Sequence, residues 1–207
     1  AFGVVCLNTF GTFSRKRIGI LGGSFNPAHR GHLHVSTHAL ERLRLDEVWW
    51  MVSPQNPLKS SDGMADLNER ISSAYLVAKD KRIRITDIEI KLGTQYTAET
   101  LNKLKTAYTN TRFVWLMGAD NLMQIPKWRD WRNIFKSMPI AVFTRPTFSR
   151  RALSGIAAQS FSRYQVNESR ISRLCFMKPP AWSFLNIKPD PISATRVRAG
   201  VGAVNIY

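Results

Sequence analysis

Short apolar runs alternate with amphipathic stretches along most of this chain. RIGILG (17–22), EVWWMV (47–52), IRIT (83–86), RFVWLM (112–117) and PIAVFT (139–144) are brief and mostly apolar, the pattern of strands buried on both faces. After the first run, Val35, Ala39 and Leu43 recur at every fourth position, which places them on one face of a helix. A second helix is predicted to start near Asp66 in ADLNERISSAYLVAKD, where Asp66 and Glu69 have the spacing of a reciprocal cap. A third is predicted near Thr97, with Thr97 as N-cap and Glu99 in the first turn. Strands separated by helices build β-α-β units. The pattern therefore predicts an α/β fold: a Rossmann-like open, mostly parallel sheet with helices on both faces. Further strands are expected at 174–177 and 182–187, and a short helix after PISATRVRAG. Residues 145–172 are the least periodic and are expected to be irregular or mobile.

The length of 207 residues suits one domain, read as 17–207 behind a flexible N-terminal extension at 1–16. In that extension the positive charge follows the apolar part, the reverse of a secretory signal. Apolar residues at 44% and charged residues at 21% fit a soluble globular protein. No apolar run approaches the ~18 residues of a membrane helix, so no membrane role is expected. Cys6 and Cys175 lie far apart with no CxxC spacing, which points to reduced thiols and a cytoplasmic setting. Thirty Lys and Arg against fourteen Asp and Glu give a net charge of +16. That excess attracts polyanions of any kind. It is diffuse, with no long basic run, and the segment from Arg145 to Lys178 is read as a solvated basic face.

The chemistry concentrates in GILGGSFNPAHRGHLHV (19–35), which with His38 holds every histidine of the chain. In an open parallel sheet, ligands bind beyond the carboxyl ends of the strands. The loop between the first strand and a helix expected near Gly31 lies there. Gly22 and Gly23 would let a phosphate chain approach the backbone, and the amides opening the helix would favour an anion. Pro27 stiffens the loop. With His29 just outside the helix and His32 in its first turn, both imidazoles can donate to one phosphate, more strongly when protonated. His34 and His38 are read as structural or exposed. They are four apart, but no nearby cysteine supports a zinc site, and none is expected. A second phosphate-binding start is offered by PISATRVRAG, with Ser193, Thr195 and the Arg196 guanidinium.

GGSFNPAHRGH followed by ISATRVR resembles the HxGH nucleotidyltransferase superfamily, and within it the bacterial nicotinate-nucleotide adenylyltransferases. SPQNPLK, QYTAETL and GADNLMQIPKWRDW fall between them in the family's order, and the resemblance spans about Arg17 to Arg198. It implies transfer of the AMP part of ATP to nicotinate mononucleotide, giving the dinucleotide and pyrophosphate, with Mg²⁺ accompanying ATP. By this resemblance His29, His32 and Arg196 are catalytic. Gly22, Gly23, Ser24 and Phe25 shape the ATP loop, and Ser193, Thr195 and Arg196 hold ATP from the other side. The mononucleotide would take Lys59 on its phosphate, Asp120 on its ribose and Trp128 stacked on its ring, with Tyr96 and Thr97 on its carboxylate. Read on its own, a tryptophan in WRDW is a core anchor. Asn26 stands where many relatives have Asp. The rival readings are an adenylyltransferase acting on nicotinamide mononucleotide or phosphopantetheine and, more remotely, a non-catalytic nucleic-acid-binding domain. The partners implied are the two nucleotides, with no nucleic acid. The sequence does not set the oligomeric state.

Overall fold

The computed structural model describes residues 15–54, 63–145 and 149–188. Six strands form one sheet: β1 Lys16–Gly23, β2 Glu47–Val52, β3 Ile83–Thr86, β4 Thr111–Gly118, β5 Ile140–Phe143 and β6 Trp182–Leu185. Their order is β3-β2-β1-β4-β5-β6, and every neighbouring pair is parallel. The helices are α1 Arg30–Arg42, α2 Leu67–Val77, α3 Ile88–Leu92, α4 Thr97–Ala107, α5 Ala119–Gln124, α6 Trp131–Ser137, α7 Ser149–Leu153 and α8 Ile156–Ser160. Each of the five strands predicted up to residue 144 appears.

Both faces of the sheet are covered because both parities of each central strand are apolar. Ile18, Ile20, Trp49, Met51, Phe113, Trp115, Met117, Ile140 and Val142 face α4, α5, α6 and α8. Leu21, Val48, Trp50, Val52, Val114, Leu116, Ala141 and Phe143 face α1 and α2. Val35, Ala39 and Leu43 are buried in this second layer, as their spacing predicts. Asp66 caps α2 reciprocally with Glu69, also as predicted.

The structure corrects three readings. Residues 174–177 are not a strand: 174–176 close a 3-10 helix, Glu168–Phe176. Asn167 caps it through Ser169 N–H at 2.9 Å. Ile171, Leu174 and Cys175 are its buried residues. That spacing is helical, and LCFM looked like a strand only because four apolar residues adjoin. At α4 the N-cap is Tyr96, without a side-chain bond, and Thr97 is the first helical residue. The aperiodic stretch after β5 holds α7, α8 and two 3-10 segments, too short to display a period. Among the described residues no helix is long and apolar enough to cross a membrane.

Candidate active site

The sheet reverses direction of growth between β1 and β4, so a crevice opens beyond the carboxyl ends of these two strands. β1 delivers Gly23 and the loop to the histidines there, and β4 delivers Gly118 and Asp120. Gly22 and Gly118 lie too close to neighbouring side chains to carry a Cβ without displacing them. A Cβ on Gly22 would overlap the Trp115 ring, and one on Gly118 would overlap the Asp120 carboxylate and the Arg145 guanidinium. At Gly23 a Cβ would meet only Phe25, at ordinary contact distance.

His29 caps α1, and His32 occupies the third helical position. His29 Nδ1 accepts from Gly31 N–H at 3.1 Å, and His32 Nδ1 accepts from His29 N–H at 3.2 Å. The pair forms a reciprocal capping box built from two imidazoles instead of the usual hydroxyl and carboxylate. A neutral imidazole has one acceptor and one donor nitrogen. With each Nδ1 accepting, both rings carry their proton on Nε2. The cap thus sets the tautomer of both rings.

The rings pack one against the next, Phe25 stacked on Trp50 and the others tilted. Phe25, held at φ 47°, lies 5.2 Å from Trp50 and 4.6 Å from His32, whose centroid is 3.9 Å from that of His29. Trp50 Nε1 donates to Ser36 Oγ at 2.7 Å, and Ser36 donates to the His32 carbonyl at 2.8 Å. His29 and Phe25 are buried, and His32 is half-buried. Burial, then His29 and Arg145, push the His32 pKa well below 6.5. The free protein therefore presents a neutral donor at His32, not the imidazolium considered from sequence.

Two arginines escaped the sequence reading. Arg70, 2% exposed, donates to four carbonyls: Ser24 and Ser53 at 2.7 Å each, Pro54 at 2.9 Å and Ala65 at 3.0 Å. It fastens the glycine loop, the end of β2 and the approach to α2 to one another, and its burial lowers its pKa. A basic residue in a mixed helix gives no such signal in the sequence. Arg145 follows β5 at the same sheet edge, close enough to bias His32 and 3.7 Å from Asp120 Oδ1. Its place two residues past the end of β5 was the available clue. Asn26 uses both ends of its amide, donating to Gly63 O at 3.1 Å and accepting from Ala65 N–H at 3.2 Å. A carboxylate could make only the second bond.

Two of the middle motifs share the core through Ala98, Leu101, Leu122 and Ile125, and they also meet through a cation and a ring. The Arg129 guanidinium lies 4.5 Å above the Tyr96 ring, which joins the WRDW and QYTAETL segments. Trp131, not Trp128, is the buried anchor, packed edge-on to Phe135 and Phe161. Trp128, Tyr96, Thr97 and Asp120 are each partly exposed. His34 and His38 meet edge-on at 4.6 Å, and no group of three metal-ligating side chains exists among the described residues. Lys59, Ser193, Thr195 and Arg196 lie outside the described residues.

Comparison with known proteins identifies the family and the fold. A cytidylyltransferase-like family model matches residues 20–200. The probable nicotinate-nucleotide adenylyltransferase of Parvibaculum lavamentivorans is 48% identical over 182 residues, covering 88% of this chain and 90% of the relative. That of Gluconobacter oxydans is 51% identical over 183 residues, covering 88% and 93%. Among solved structures, the Plasmodium falciparum nicotinic acid mononucleotide adenylyltransferase complexed with NaAD shares the fold. Its TM-score is 0.64 at 20% identity, covering 89% of this chain and 83% of that one. Motif order, sheet order and likeness over nearly the full length converge, and the chain belongs to the nicotinate-nucleotide adenylyltransferases of the cytidylyltransferase-like family.

Proposed function

We infer that this enzyme transfers the adenylyl group of ATP to nicotinate mononucleotide. The 5′-phosphate oxygen of the mononucleotide forms a bond to the α-phosphorus of ATP. The bond from that phosphorus to the bridging oxygen breaks, pyrophosphate leaves with the electron pair, and nicotinate adenine dinucleotide remains. No side chain needs to act as nucleophile, so the protein contributes positioning and charge stabilisation.

The observation that carries this reading is the imidazole capping box. It commits both Nδ1 atoms to backbone and leaves each ring's proton on Nε2, at the crevice where the sheet order reverses. His32 Nε2 is assigned to the triphosphate, where charge grows on the departing pyrophosphate, with His29 behind it. Gly22, Gly23, Ser24 and Phe25 form the wall of the ATP loop. Ser193, Thr195 and Arg196 are assigned to ATP from the opposite side. For the second substrate, Tyr96 and Thr97 open α4 beside the carboxylate, Trp128 stacks on the ring, Asp120 accepts from the ribose and Lys59 pairs with the phosphate. Arg145 draws Asp120 and orients it.

Among the described residues no three His, Cys, Asp or Glu side chains converge as a ligand set. Mg²⁺ is assigned to the ATP phosphates, where it would keep several waters and neutralise charge on the triphosphate.

The test is pyrophosphate release from ATP with the acid and amide mononucleotides side by side, with the dinucleotide identified by mass. The expected outcome is stoichiometric dinucleotide and a higher kcat/KM for the acid. Equal or greater efficiency with the amide contradicts the assignment of the substrate.

A further inference from the structure

Three polar side chains are buried where α3 meets α4: Glu89 at 3% exposure, Thr94 at 9% and Thr100 at 0%. Packing alone does not call for them. Ile88 of α3 already shares the apolar core with Leu101 and Leu104 of α4, and a buried acid is costly unless its partners are in place. The Thr100 hydroxyl lies 3.2 Å from Glu89 Oε1, 2.8 Å from Thr94 Oγ1 and 3.1 Å from the Tyr96 carbonyl. Glu89 Oε2 has no hydrogen-bond partner among the described residues. Burial pushes the Glu89 carboxyl above its usual range, and the hydroxyls of Ser53 and Thr100 offset only part of that. A proton on Oε1 fits these contacts. The neutral acid donates to Thr100, which keeps its own proton for the Tyr96 carbonyl and accepts from Thr94. Oε2 is then a carbonyl oxygen, which costs less to leave unpaired than a charged one.

This network encloses the connection at 93–96. Gly93, at φ 59°, ends α3 with its N–H on the Glu89 and Ile90 carbonyls, and Thr94 N–H donates to the Glu89 carbonyl at 2.9 Å. Tyr96 is the N-cap of α4 in extended backbone and makes no side-chain bond there. Its carbonyl takes the Thr100 N–H at 3.0 Å as well as the hydroxyl. The start of α4 is thus set by Thr94 and Thr100, and both lead back to Glu89. Ser53 lies one residue past β2, so the acid is rooted at the carboxyl edge of the sheet.

We propose that Glu89 is a positioning residue for the mononucleotide: through Thr100 and Thr94 it fixes the chain at 93–96, and so the place where Tyr96 and Thr97 meet the nicotinate carboxylate. This rests on the reading that the start of α4 receives that carboxylate. Glu89 acts through the two threonines. Its role is to hold the helix start in its binding geometry before substrate arrives, so that less freedom is lost on binding.

Steady-state kinetics on the full chain test the proposal. Glu89→Met, of similar length and without a donor, is expected to raise KM for nicotinate mononucleotide about fivefold or more, with kcat and KM for ATP within about twofold. Glu89→Gln, whose amide nitrogen replaces the proton-bearing oxygen, is expected to restore that KM. Thr100→Val removes the central hydroxyl at nearly constant size and is expected to reproduce the selective rise, should Glu89→Met fold poorly. An unchanged mononucleotide KM in both Glu89→Met and Thr100→Val, alongside a raised one in Thr97→Val, overturns the positioning role alone. An unchanged KM in Thr97→Val overturns the underlying reading of the α4 start, and the positioning role with it. Equal rises in Glu89→Met and Glu89→Gln, or a matching rise in KM for ATP, also overturn the role, because the hydrogen bond is then not the agent.

Discussion

His32 does two jobs with two nitrogens. Nδ1 receives the His29 N–H and so helps to start α1, while Nε2 holds the proton assigned to the triphosphate. The jobs can be separated by substitution. Asn places an acceptor near the position of Nδ1 and offers nothing at Nε2. His32→Asn is therefore expected to keep the cap, with stability within about 1 kcal/mol of wild type, and to lower turnover ~100-fold or more. The pH dependence of stability separates them again. Burial, His29 and Arg145 hold the His32 pKa well below 6.5, so the folded ring stays neutral where the unfolded chain already binds a proton. Its contribution is thus fully present above the unfolded value and is lost as pH falls from there through the folded pKa. An added proton has only Nδ1 to occupy, where it opposes the His29 N–H. Thermal melts from about pH 7 to pH 5 should fall more steeply for wild type than for His32→Asn, which does not titrate. Parallel curves together with retained turnover would remove both roles.

At the scale of elements, Arg70 ties together the segments that frame the crevice. Four carbonyls from three separate segments turn toward one buried guanidinium. Arg70→Met keeps much of the volume and leaves all four acceptors without that donor. The expected loss is about 3 kcal/mol or more in denaturant unfolding, since a buried orphaned polar group costs about 1–3 kcal/mol. A loss below about 1 kcal/mol would show that water replaces the guanidinium readily. The elements themselves were largely legible. β1 to β5 announced themselves as apolar runs, and α1 and α2 by four-residue spacing and by Asp66 with Glu69. The 3-10 helix Glu168–Phe176 was not legible, because its apolar residues bunch in LCFM while Ile171 stands apart. The attachment of Asn186 and Lys188 to α1 was also hidden, since bonds from His34 and Arg42 span more than 140 residues and follow no local period.

For the molecule as a whole, the strand order β3-β2-β1-β4-β5-β6 places the reversal between β1 and β4, and the sequence supplies its chemistry at those two strand ends. Clustering of the histidines was visible in the chain, and so was the approximate start of their helix. The arginines at the same crevice were not. Arg70 and Arg145 look like any other members of a diffuse excess of +16, and only tertiary packing distinguishes them. Asp120 changes meaning for the same reason, since the structure sets it against Arg145. The proposed ATP site joins the histidine end of α1 to Ser193, Thr195 and Arg196. The most direct test of that union is a crystal structure with a non-hydrolysable ATP analogue. The account predicts His32 Nε2 and the Arg196 guanidinium within about 3.2 Å of oxygens on one triphosphate. A triphosphate bound well away from His32, or gripped with Arg196 pointing elsewhere, would contradict it.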